Sequence, residues 1–127
     1  MITTLLKDFY KIRSAPEAGS APERATVEVS LNPAHEVYKG HFPKMAVVPG
    51  VCQVQMVKEI LELLQGKQLM LVEGTNIKFL AMIDPDKNGS LTIEYEVKAA
   101  DEMLQATVTI RHEAQTFLKF KGKFSSC

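Results

Sequence analysis

The chain has 127 residues, 46% of them hydrophobic, enough for one globular domain with a sizeable core. Fifteen Lys and Arg balance fifteen Asp and Glu, and no basic stripe is interleaved with aromatics, which argues against a nucleic-acid partner. No apolar run reaches the roughly 18 residues of a membrane span.

Met1 to Asp8 lacks a basic flank followed by a long apolar core, so no signal peptide is expected. Cys52 and Cys127 sit in different settings, one in a helical pattern and one at the chain end. That does not suggest a disulfide framework, and a cytoplasmic location is expected.

In chain order, Leu5 to Ile12 has apolar residues at near-helical spacing and predicts a short surface helix. Ser14 to Pro22, with two prolines and a glycine, reads as a loop. Ala25 to Leu31 alternates Val27, Val29 and Leu31 with Thr26, Glu28 and Ser30, the pattern of a half-buried strand. A turn framed by Gly40, Pro43, Pro49 and Gly50 follows, carrying His41.

Val51 to Gln65 is the only long helix candidate. Gln55, Lys58, Glu59, Glu62 and Gln65 share one face, and Met56, Val57, Ile60, Leu61, Leu63 and Leu64 cover the rest. That apolar arc is wider than a surface helix needs and predicts a helix wrapped by a sheet. Gln53 projects into the middle of the arc, where an amide requires a partner, across a subunit interface or in a ligand channel.

Gly66 and Lys67 read as the helix stop. Beyond it the period is two. Gln68 to Glu73 and Thr75 to Leu80 are expected as two short strands, and Asp84 to Gly89 as a turn. Leu91 to Lys98 and Leu104 to Arg111 alternate without a fault. Leu118, Phe120, Gly122 and Phe124 alternate with Lys119, Lys121 and Lys123. The expected architecture is α+β, one long helix against an antiparallel sheet of about five or six strands. No internal repeat or low-complexity segment interrupts it, so residues 1–127 are expected to form a single domain.

His41 is the sharpest candidate for chemistry. A helix opening at about Pro49-Gly50 aims free N–H groups and the positive end of its dipole at whatever lies in front of it. An imidazole beside such an end suits proton removal next to a carbonyl; the bland alternative is a histidine bonding its own turn. A His35/His41 metal pair lacks further ligands at suitable spacing, so no metal is expected.

Cys52 near a helix N-terminus is either a thiol of lowered pKa or a small core residue. His112 is expected to be exposed, and Met45, Met56 and Met70 to fill the core. The lysines at 119, 121 and 123 read as a solvated strand face, with an acidic partner as the alternative.

The stretch Gly40-His41-Phe42-Pro43-x3-Val47-Val48-Pro49-Gly50-Val51 resembles the loop G-H-F-P-x3-V-x-P-G-V/C of the β-hydroxyacyl-(acyl carrier protein) dehydratases. The order of elements is similar to that family's hotdog fold, a curved sheet around a central helix. The resemblance covers about residues 24–124, with residues 1–22 as an N-terminal helix and loop extension.

It implies a hydro-lyase of fatty-acid synthesis that turns a 3-hydroxyacyl thioester into the trans-2-enoyl thioester. The substrate rides on the phosphopantetheine of an acyl carrier protein, and no cofactor of the chain's own is implied. His41 falls on the catalytic histidine and Gly50 on the glycine whose N–H holds the thioester carbonyl, with Phe42, Pro49 and Val51 beside them. Family members are dimers or assemblies of dimers whose sites combine two chains, which implies a homodimer here.

The family's acidic helix residue falls on Gln55, which carries no titratable proton and can only orient a hydroxyl or a water. Glu59 lies one turn further, about 6 Å in rise, as a supporting residue with Gln53. A hotdog thioesterase, an acyl-binding subunit with weakened catalysis, and a subunit paired with an active paralogue stay open as alternatives.

Overall fold

The computed structural model describes residues 8–35, 38 and 47–126. Among them are six strands and one helix: β1 (Tyr10–Ser14), β2 (Arg24–Leu31), α1 (Gly50–Gln65), β3 (Leu69–Phe79), β4 (Ser90–Ala100), β5 (Met103–His112) and β6 (Gln115–Ser126). The strands form one antiparallel sheet in the order β1-β2-β4-β5-β6-β3. This is the expected hotdog arrangement.

Alternation fixes which face of the sheet meets the helix. Val27 and Val29 of β2, Leu91, Ile93, Tyr95 and Val97 of β4, and Val108 and Ile110 of β5 are all buried. On β6, Leu118, Phe120 and Phe124 are buried, while Lys119 and Lys121 are exposed. From the other side Met56, Val57, Ile60, Leu61 and Leu64 of α1 complete one continuous core. A period-two face and a 3.6-period arc thus close on each other, which is the main stabilising term of the fold.

Three expectations need correction. The helix predicted over Leu5 to Ile12 has residues 5–7 outside the described range, and Tyr10 to Ile12 belong to β1 instead. Tyr10 pairs with Leu31 and Ile12 with Val29, so the open edge of β2 outweighs a weak local helical pattern. The two short strands expected at 68–80 are one strand, in which register shifts between Leu71 and Glu73 and between Gly74 and Asn76 absorb the irregularity. Met70 does not fill the core; it lies 54% exposed on this edge strand, where Val72 and Phe79 are exposed too, as is Leu80 just beyond it.

The loop from Ala15 to Glu23 has a definite task. Gly19 N–H donates to Leu63 O at 2.9 Å and Ala21 N–H to Leu64 O at 2.8 Å, while Gly66 N–H bonds Glu62 O at 2.8 Å. The last carbonyls of α1, orphaned by helix geometry, are satisfied in this way. Gly66 makes the stop in the left-handed region, at φ 70°. The turn at Asp84 to Gly89 also forms as expected: Asp84 Oδ1 accepts from Asp86 N–H at 2.9 Å, and Asn88 N–H donates to Asp84 O at 2.6 Å.

Candidate active site

The site is built on the start of α1. Pro49, at φ −60° and ψ 145°, caps the helix without any side-chain hydrogen bond, and the first turn holds no acidic residue. Cys52 N–H and Gln53 N–H close the first bonds, both onto Pro49 O at 3.0 and 3.1 Å. The N–H groups of Gly50 and Val51 therefore precede the helical ladder at the positive end of its dipole. Val51 is 76% exposed. Val48 N–H donates to Ile83 O at 2.9 Å, in the connection between β3 and β4, which fixes how the chain enters the helix.

Gly50 packs closely against a side chain. A Cβ there would meet the Phe79 ring at 2.8 Å from Cζ, so the helix start and the last residue of β3 are in direct contact. Val51, Leu80 and Met82, close in sequence to the two residues of this contact, are exposed as well.

Along the helix, the polar face predicted from the sequence is largely covered. Glu59 and Glu62 are each 3% exposed. Glu62 Oε2 accepts from Leu69 N–H at 2.9 Å, joining the end of α1 to the start of β3. Glu59 Oε1 accepts from the Tyr10 hydroxyl at 3.1 Å, and Glu59 Oε2 accepts from Gln55 Nε2 at 3.0 Å. Burial first, and then the Glu59 charge, push the Tyr10 hydroxyl well above its ordinary pKa, so it stays a proton donor at neutral pH.

Gln53 finds its partner within its own chain. Nε2 donates to Val48 O at 3.3 Å, while Oε1 is buried without a hydrogen bond among the described residues. The same holds for the hydroxyl of Tyr38, whose pKa burial pushes up to about 12. Cys52 is a buried free thiol, and burial raises its pKa. Desolvation thus overrides the thiol-lowering effect of the helix end, and the core reading of Cys52 is the correct one.

His112 is tied to β4, its Nδ1 donating to Ser90 O at 2.7 Å. His35 stacks edge-on against Phe9, with ring centroids 5.3 Å apart. Among the described residues no group of three or more His, Cys, Asp or Glu side chains is arranged to hold a metal ion.

His41 and Phe42 lie outside the described residues, as do Gly40 and Pro43. Gly50, Val51, Pro49 and Gln53 gather at the helix start; Gln55 and Glu59 form a bonded pair further along α1. Sequence reasoning missed Tyr10 and Phe79. Neither leaves a local signal, because each reaches the site through strand pairing far along the chain.

The sequence matches the ApeI-like family of ApeI dehydratases over residues 17–122. The chain belongs to that family. Among solved structures, the dehydratase heterocomplex ApeI:P from Xenorhabdus doucetiae is similar in fold, with a TM-score of 0.70 and 20% identity over 91% of this chain and 96% of that one. A hypothetical thioesterase with coenzyme A from Streptococcus pneumoniae TIGR4 aligns with a TM-score of 0.63 and 14% identity over 93% of this chain and 85% of that one. A conserved protein from Pseudomonas aeruginosa gives a TM-score of 0.66 at 14% identity, over 100% of this chain and 96% of that one. No curated protein matches the ApeI-like chain by sequence. The hotdog fold therefore joins a dehydratase family membership to neighbours that include a hypothetical thioesterase. No helix among the described residues is long and apolar enough to cross a membrane.

Proposed function

We propose that this ApeI-like chain is a hydro-lyase that removes water from a 3-hydroxyacyl thioester, carried on the phosphopantetheine of an acyl carrier protein, to give the trans-2-enoyl thioester. The observation that carries the reading is the start of α1 at Gly50, free of any side-chain cap, within the stretch that matches the dehydratase loop. Donors aimed at a thioester oxygen stabilise the enolate that forms when the α-proton leaves.

In this reading the Gly50 and Val51 N–H groups hold the carbonyl, with Pro49 and Phe42 alongside. His41 takes the α-proton, the C2–C3 double bond forms, and the C3–O bond breaks. The proton gained by His41 returns to the departing hydroxyl, which leaves as water. Gln55 orients that hydroxyl rather than protonating it. No cofactor enters these steps, and the protein works in the cytoplasm.

The second chain of a homodimer docks along β3. Support comes from its place at the sheet edge and from the exposed Met70, Val72, Phe79 and Leu80. That a similar structure is a dehydratase heterocomplex makes pairing with a different hotdog chain the alternative assembly.

A thioesterase reading has one observation in its favour: the Gln55–Glu59 pair could hold a hydrolytic water. Purified protein with a short 3-hydroxyacyl thioester separates the readings. Dehydration predicts turnover that His41→Ala abolishes and Gln55→Glu raises. An inactive native protein that gains turnover only with Gln55→Glu would make it an acyl-binding subunit.

A further inference from the structure

A carboxylate buried on a helix face and bonded from two sides requires an account that the proposed reaction does not supply. Glu59 is 3% exposed and takes Gln55 Nε2 on one oxygen and the Tyr10 hydroxyl on the other. Both Glu59 oxygens act as acceptors here, which fixes which end of the Gln55 amide faces them. The NH2 end turns to Glu59, and the carbonyl oxygen is left at the opposite end of the planar group. Tyr10 comes from β1, 49 residues earlier in the chain, and it holds Glu59 from the sheet side. The amide is half-buried and its orientation is set from behind.

We propose that Glu59, held by Tyr10, is a positioning residue that locks Gln55 with its carbonyl oxygen outward, as an acceptor for the 3-hydroxyl of a 3-hydroxyacyl thioester. The inference rests on the dehydratase reading for the identity of the ligand. It adds a specificity rule: the site prefers 3-hydroxyacyl over saturated acyl thioesters of equal length, and the preference depends on Glu59 acting through Gln55. A free glutamine could present either end and would accept from a hydroxyl only part of the time.

The test measures affinity for 3-hydroxybutyryl- and butyryl-pantetheine in a His41→Ala background, which prevents turnover. The parent is expected to favour the hydroxyacyl ligand about fivefold, the worth of one net hydrogen bond. Glu59→Gln, similar in shape but able to donate or accept, abolishes that preference and leaves butyryl binding unchanged. Gln55→Ala abolishes it as well, and Glu59→Gln added to Gln55→Ala changes nothing more. Tyr10→Phe, which removes only the outer hydroxyl, reduces the preference about twofold and carries the test if Glu59→Gln does not fold.

Equal binding of the two ligands by the parent overturns the inference. So does a full preference in Glu59→Gln or Tyr10→Phe, or an equal loss of both ligands, which marks a merely structural role. Lack of enoyl product from the native chain overturns the dehydratase reading alone, because the binding ratio is read without turnover.

Discussion

The Phe79 ring lies against the Cα of Gly50, so near that a Cβ at position 50 would come within 2.8 Å of Cζ. The end of an edge strand thereby fits against the first residue of the central helix, and both bound the place where a thioester carbonyl would meet N–H donors. Phe79 is 51% exposed, so its ring can swing away. Gly50→Ala should therefore cost at most about 1 kcal/mol of stability, since the displaced ring offsets the clash. Turnover should fall by more than stability does, because the shifted ring crowds the helix end. Melting curves and rates for Gly50→Ala, with and without Phe79→Ala, check this; the double variant should recover activity.

Gly66 ends the helix at φ 70°, and a Cβ there would sit 3.0 Å from Gly19 Cα. Gly66→Ala meets both a left-handed backbone and the capping loop, and should destabilise by about 1–2 kcal/mol. Chemical denaturation measures it, and the denaturant slope should stay unchanged.

The layering of helix on sheet followed from periodicity, because a period-two apolar face and a wide helical arc can bury each other. What stayed illegible depended on partners far along the chain. Tyr10 and Ile12 carry no mark that would tell a short helix from a strand added to the edge of β2. Nothing local announces that Tyr10 will meet Glu59 or that the Leu69 N–H will meet Glu62. The helix start was legible, since proline and glycine act through their own backbone preferences. That position 55 carries an amide was legible too, but its bond to Glu59 was not.

Three tyrosines make the fold sensitive to alkali. Burial raises the pKa of Tyr10 and Tyr95 well above the ordinary value near 10, and that of Tyr38 to about 12. The unfolded chain therefore loses these protons first. The stability they contribute is complete below pH 10 and drains away as pH rises through the folded values. Denaturation midpoints should be flat from about pH 7 to 9 and fall above 10. Tyr95→Phe should flatten that fall, while costing about 1 kcal/mol at neutral pH through loss of the 2.9 Å bond to Val57 O.

The buried Cys52 thiol should resist alkylation. In a Cys127→Ser variant at pH 8, iodoacetamide should label the native protein at least about tenfold more slowly than the unfolded chain. Equal rates would place the thiol at the surface.

Dehydration at the start of α1 is the proposed reaction. Its most direct test incubates the purified chain with a short 3-hydroxyacyl thioester and follows enoyl absorbance and free acid together. Dehydration gives enoyl thioester without free acid, and the signal is lost with His41→Ala. Free acid without enoyl product would contradict it and identify a thioesterase.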